Sequence, residues 1–122
     1  MQATAEAFTR LLSILADLRT QCPWDRAQTF ESLRPNTIEE AYELSESLLE
    51  GDKAAMKEEL GDLLLHVAFY ARMAWEDGDF DLSDVCHTVS DKLVRRHPHI
   101  YGDTTADNEQ VVKKNWEQIK QQ

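Results

Sequence analysis

Apolar residues return every three or four positions over most of this chain, and proline, glycine or acidic turns mark the places where that rhythm stops. Phe8, Leu11, Leu12, Leu15 and Leu18 form one such stripe and predict an amphipathic helix from about residue 3 to 20. Cys22-Pro23-Trp24-Asp25 breaks it, because a residue before proline is pushed out of the helical region. Thr29 is expected to cap a short turn through Phe30 and Leu33, which Pro35 stops. Thr37 followed by Glu40 has the form of a capping box and predicts the start of a second helix. That helix carries Ile38, Ala41, Tyr42, Leu44, Ser45, Leu48 and Leu49, and Gly51 is its natural stop.

Asp52 can cap a third helix, from about residue 53 to 75, the most hydrophobic part of the chain. Its apolar residues (Leu60, Leu63, Leu64, Leu65, Val67, Ala68, Phe69, Ala71) cover more than one face. Such a helix is central or lies in a subunit interface, so an oligomer is expected. Asp77-Gly78-Asp79 reads as a turn. Asp81 or Ser83 caps a fourth helix with Val85, Val89, Leu93 and Val94 inward, and Pro98 disfavours helix at His97. A polar loop over residues 102–108 precedes a last helix holding Val111, Val112, Trp116 and Ile119. No strand and no repeat is expected. The pattern is an all-α helical bundle of about five helices.

Composition sharpens this picture. A chain of 122 residues suits one domain spanning 1–122. Only 4 glycines and 3 prolines interrupt it, which favours long helices. The formal net charge of −10 opposes direct nucleic-acid binding, where basic residues must neutralise phosphates. It does not oppose a small nucleotide, because a cation can invert the local sign. Cys22 and Cys86 lack ligand spacing and read as reduced thiols of a cytoplasmic protein. No stretch is apolar enough to span a membrane.

The acid is patterned. Glu39, Glu40 and Glu43 lie within about one helical turn, and Glu59 and Asp62 repeat the three-residue spacing on the next helix. The short Gly51-Asp52 connection makes the two helices antiparallel neighbours. Residues 43 and 59 then both sit about 12 Å from the turn, at roughly 1.5 Å per residue. Like charges one turn apart destabilise a helix by about 0.2–0.5 kcal/mol per pair, and facing pairs repel more. A divalent cation with oxygen ligands removes the conflict, and Mg²⁺ or Mn²⁺ suits such donors. A solvated acidic face is the alternative. A di-iron site needs Glu-x-x-His, and no histidine stands in that slot. His66, one turn beyond Asp62, can be an outer neighbour of such a site, or, as such histidines more often are, a packed, hydrogen-bonded residue.

Basic residues number 13. Lys92, Arg95 and Arg96 gather at the end of the fourth helix. They can bind phosphate oxygens or simply complement the helix C-terminus. Trp116 and Lys120, four apart on the last helix, can supply a stacking wall and a phosphate contact, or be core and solvated surface.

Together these residues resemble the MazG-type nucleoside triphosphate pyrophosphohydrolases of the all-α NTP pyrophosphatase superfamily. The hallmark Glu-Glu-x-x-Glu followed by Glu-x-x-Asp stands here as Glu39-Glu40-Ala41-Tyr42-Glu43 and Glu59-Leu60-Gly61-Asp62. Cys22-Pro23-Trp24-Asp25, residues 92–99 and Asn115-Trp116-Glu117-Gln118-Ile119-Lys120 extend the likeness over most of the chain, most closely to the first half of two-domain members. The resemblance implies Mg²⁺-dependent hydrolysis of (deoxy)nucleoside triphosphates to monophosphate and pyrophosphate. It also implies a helical bundle completed by homodimerisation or a higher assembly. It casts Glu40, Glu43, Glu59 and Asp62 as metal ligands. Glu39 becomes an acid near the metal or its water, and Glu39 or Glu43 the proton acceptor. Lys92, Arg95 and Arg96 become phosphate contacts, and Trp116 and Lys120 nucleotide contacts. Some relatives carry a lysine where Ala55 stands, so a phosphate contact from that place is absent. The non-enzymatic alternative is a dimerising or nucleotide-sensing half of a longer protein with little turnover.

Overall fold

The computed structural model describes residues 1–103 and 108–120, all of it helix, turn or irregular chain with no strand among the described residues. The chain divides into two compact units, Met1–Asp81 and Leu82–Gln122.

The first unit contains four helices: α1 (Gln2–Gln21), α2 (Pro23–Ala27), α3 (Phe30–Glu50) and α4 (Lys53–Glu76). Helices α3 and α4 form its hairpin. Gly51 adopts the left-handed conformation at φ 73° and ends α3, as a residue without Cβ does at low cost. The N–H groups of Gly51 and Asp52 both reach back to the Ser47 carbonyl, at 3.1 and 3.3 Å. Asp52 then caps α4 by accepting from the Ala55 N–H. Leu15 of α1, Leu33 of α3, and Ala68, Phe69 and Met73 of α4 make the core, with Leu12, Leu65 and Tyr70 packed against it.

Helix α3 departs from expectation. It opens at Phe30, not at Thr37, and runs through Pro35. The capping box is Thr29 with Ser32, each side chain bonding the other's backbone N–H. Pro35 costs α3 one backbone hydrogen bond. Leu33, 2% exposed in the core, and the stacked rings of Phe30 and Tyr70, 6.0 Å apart, hold the turn before it. Thr37 turns its hydroxyl back to the Leu33 carbonyl instead of capping.

The Cys-Pro-Trp-Asp segment also gains helix. Cys22 is extended, as expected before proline, but Pro23 then starts the short α2 at its first position. Arg19 fastens it. The Arg19 Nη1 donates to the carbonyls of Asp25, Arg26 and Gln28 at 2.7–3.0 Å, while its Nε and Nη2 bind the Glu76 carboxylate at 3.0–3.2 Å.

The second unit holds α5 (Leu82–Arg96), α6 (Pro98–Tyr101) and α7 (Glu109–Lys120). α5 starts directly after Asp81 and stops before His97. α6 was not expected, and residues 104–107 of the expected polar loop lie outside the described residues. Val89, Leu93 and Val94, expected inward, are exposed by 44%, 42% and 46%. The described residues thus form seven helices where about five were expected. Among them no helix is long and apolar enough to cross a membrane.

Replacing Arg19 by methionine keeps its length and removes its donors. The carbonyls of Arg26 and Gln28 then lose their side-chain donor, that of Asp25 keeps only the Gln28 N–H, and the exposed Glu76 carboxylate keeps only Arg72. Urea unfolding is expected to show a loss of roughly 1–2 kcal/mol, the lower part of the about 1–3 kcal/mol for an abandoned buried acceptor, because these acceptors are part-buried or exposed. Lysine, which lacks the planar fork, should not restore it. An unchanged midpoint in Arg19→Met would refute this role.

Candidate functional site

The hairpin geometry places the acidic residues of α3 and α4 opposite one another. Glu40, Glu43 and Glu59 each offer a carboxylate oxygen, and these oxygens lie within 4.8 Å of one another. Glu40, Glu59 and Asp62 are half-buried and Glu43 is exposed. Asp62 stands outside that triad of oxygens but is close enough to act electrostatically on Glu40 and Glu59. Glu39 is exposed and lies one turn before Glu43 on the same stripe of α3.

The crowding shows in the titration of the cluster. Burial, with Asp62, Glu43 and Glu59 adding negative charge, pushes the Glu40 carboxyl up to about 7. Burial and the neighbouring Glu43 also raise Glu59. Glu40 Oε2 and Glu59 Oε2 are both buried with no donor from outside the acidic cluster, and the only bonding open to them within it is between the carboxyls themselves. Buried polar atoms are ordinarily paired. An all-oxygen donor set with two unclaimed buried oxygens fits a hard divalent cation such as Mg²⁺ or Mn²⁺. It suits zinc and iron less well, since they more often take nitrogen or sulfur donors.

One helical turn away, a second polar group is buried. His66 is 9% exposed, and burial depresses its pKa, with Asp62 opposing. Its Nδ1 lies 2.6 Å from Thr37 Oγ1, and the same hydroxyl bonds the Tyr70 hydroxyl. His66 is thus a packed, hydrogen-bonded histidine. No sequence pattern points to its partners: Thr37 has the spacing of a cap, and Tyr70 belongs to no motif. The available signal was spacing alone, Thr37 three before Glu40 and His66 four after Asp62.

The basic and aromatic candidates all lie in the second unit. Lys92 and Arg96 are half-buried and Arg95 is exposed. The Arg96 guanidinium sits 5.2 Å over the Trp116 ring, and His97 meets that ring edge-on at 5.3 Å. Trp116 is therefore held by two cationic or aromatic neighbours inside its own unit. Arg96 Nε is buried without a partner. Lys120, at the end of α7, is exposed.

The raised Glu40 pKa has a definite sign in stability. The folded chain keeps a proton that the unfolded chain releases above the ordinary value of 4.5. That contribution is full below 4.5 and is lost as pH rises to about 7. His66 works in the opposite sense, so the wild type alone does not isolate the effect. In metal-free buffer, Glu40→Gln should gain stability relative to wild type as pH rises through this window. Thermal melts at intervals from pH 4.5 to 8 measure it, and a constant difference between the two proteins would contradict the shift.

Comparison with known proteins follows the same residues. Over 114 residues the chain is 49% identical to a nucleoside triphosphate pyrophosphohydrolase of Escherichia coli K12, covering 91% of this chain and 43% of that one. Over 124 residues it is 48% identical to the "Nucleoside triphosphate pyrophosphohydrolase/pyrophosphatase MazG" of Thermotoga maritima, covering 100% and 47%. The chain thus spans about half the length of the curated relatives it matches. Its fold superposes on the crystal structure of a mazG-related protein from Thermotoga maritima with a TM-score of 0.78 at 27% identity, over 93% of this chain and 99% of that one. Residues 28–101, which contain all five acidic candidates, match the MazG nucleotide pyrophosphohydrolase domain, and the chain belongs to that family.

Proposed function

We propose that this chain hydrolyses nucleoside triphosphates to the monophosphate and pyrophosphate with Mg²⁺, for which Mn²⁺ can substitute. The observation that carries this reading is the meeting of Glu40, Glu43 and Glu59 with two unclaimed buried oxygens, in a chain whose curated relatives bear the name of that activity. Glu40, Glu43, Glu59 and Asp62 are the residues to hold the cation. When bound, Mg²⁺ supplies charge to the phosphoryl oxygens and lowers the pKa of a bound water.

The remaining chemistry belongs to side chains. A water oxygen attacks the α-phosphorus, the bond from that phosphorus to the α–β bridging oxygen breaks, and pyrophosphate leaves with the electron pair. Glu39, exposed beside Glu43, accepts the water's proton, with Glu43 as the second candidate. Lys92, Arg95 and Arg96 are proposed as phosphate contacts, and Trp116 and Lys120 as nucleotide contacts. The two cysteines are free thiols, which suits a cytoplasmic setting.

A second copy of the chain is proposed as the partner. Leu60, Leu64 and Val67 recur at helical spacing on α4 and are 53%, 42% and 42% exposed. Ile38 and Tyr42 on α3 are exposed by 58% and 70%. A stripe of this kind on the most hydrophobic helix is suited to an interface.

One specific observation favours a second reading. The chain covers only 43% and 47% of the two curated relatives, so it can act as a binding half with little turnover. Purified chain is to be incubated with Mg²⁺ and a panel of ribo- and deoxynucleoside triphosphates, and the products separated by chromatography. Pyrophosphate and monophosphate are expected, falling by roughly a hundredfold in Glu59→Ala, the upper end of losses seen around metal sites. Nucleotide binding without any pyrophosphate would favour the second reading, and full Mg²⁺-dependent turnover by Glu59→Ala would remove the metal assignment. In sedimentation velocity the wild type should run as a dimer or larger, and Leu64→Glu as a smaller species. A monomeric wild type would defeat the oligomer.

A further inference from the structure

Four acidic side chains between two packed helices push those helices apart, and the apolar contacts that resist are not directional. Apolar packing tolerates a small slide of one helix along the other. A carboxylate cluster does not, because the separation of its oxygens decides whether they can share one cation. Something directional has to set the register of α3 against α4 near the cluster.

The Gly51–Asp52 turn does this at one end. At the other end stands the Thr37 hydroxyl. Thr37 lies three residues before Glu40 on α3, and His66 lies four after Asp62 on α4. The polar group is therefore about one turn, roughly 5.4 Å, from the nearest carboxylate along each helix, Glu40 on α3 and Asp62 on α4. A hydroxyl donates once and accepts twice. Its three partners fill that capacity when His66 donates from Nδ1–H, Tyr70 donates from its O–H, and Thr37 donates to the Leu33 carbonyl. Two residues of α4 are thereby tied to one atom of α3. Tyr70 is itself stacked on Phe30 with the rings 4° from parallel, so this tie cannot shift without disturbing the start of α3.

We propose that Thr37, His66 and Tyr70 are positioning residues that hold α3 and α4 in the register at which Glu40, Glu43, Glu59 and Asp62 bind a divalent cation. None of the three needs to touch the cation or the nucleotide. The proposal rests on the metal reading above and names the part of the fold that makes the carboxylates a site and not only an acidic face.

The test uses Mn²⁺ binding to the whole chain without nucleotide, followed by the loss of the free Mn²⁺ paramagnetic resonance signal, together with thermal melts in EDTA. Tyr70→Phe removes one oxygen and keeps the stacked ring. Thr37→Val removes the hydroxyl and keeps the shape. Each is expected to weaken Mn²⁺ binding about tenfold, as loss of a ligand-orienting partner does. The double variant should be little worse than Thr37→Val alone, because the bond that Tyr70 makes ends on the oxygen that Thr37→Val removes. Thr37→Ser should bind within about twofold of wild type. If Thr37→Val does not fold, Tyr70→Phe decides alone. Variants that melt earlier in EDTA yet bind Mn²⁺ as wild type does would overturn the proposal, leaving a merely structural contact. Glu40→Gln separates the two levels. Its loss of Mn²⁺ binding beside unaffected Tyr70→Phe sinks the positioning role only, whereas wild-type binding by Glu40→Gln sinks the metal reading and the positioning role together.

Discussion

Like charges held between two packed helices are the constraint that organises this protein. The hairpin of α3 and α4 carries Glu40, Glu43, Glu59 and Asp62 at a separation where burial and mutual repulsion raise the Glu40 carboxyl to about 7. An unconstrained pair of helices would relieve that by parting or sliding. Here the turn at Gly51 closes one end. The core of Leu15, Leu33, Ala68, Phe69 and Met73 and the polar tie at Thr37 close the other. Arg19 belongs to the same scheme at a distance, since it joins the end of α1, the carbonyls of α2 and Glu76 of α4.

Much of this was legible in the sequence. Apolar periodicity, the scarcity of glycine and proline, and the Gly51-Asp52 connection were enough for the α3–α4 hairpin and its facing carboxylates. At the start of α3 a tertiary preference overrides a local rule. Thr37 and Glu40 have the spacing of a capping box, and an interior proline costs about 3 kcal/mol. Against that stand the burial of Leu33, worth about 1.5–3 kcal/mol, the Thr29 cap, worth about 1 kcal/mol, and the ring stack of Phe30 on Tyr70, worth about 0.5–1.5 kcal/mol. The sum favours one continuous helix, but no window around Pro35 contains Phe69 or Tyr70. Val89, Leu93 and Val94 teach a related lesson. Periodicity reports that a helix has an apolar stripe, not whether this chain covers it.

The family comparison bears on how self-sufficient this arrangement is. The matching sequence lies within curated relatives about twice as long, and the fold accounts for 99% of the solved chain from Thermotoga maritima. The acidic residues and the tie at Thr37 all fall between residues 37 and 70, inside one hairpin and inside the family match at residues 28–101. Their geometry depends on contacts local to the first compact unit, so it can persist in chains of different length.

The unclaimed oxygens of Glu40 and Glu59 also bear on the order of encounter. A chain with formal net charge −10 repels a bare polyanion at long range and concentrates cations near its surface. On the proposed reading, the cation and its nucleotide therefore do not approach on equal terms. A triphosphate already neutralised in part by a metal ion meets a lower barrier than the free anion, and dissolved salt screens what repulsion remains. On that reading the net charge of the chain acts on diffusion before the carboxylates act on chemistry, selecting the charge state in which a ligand arrives.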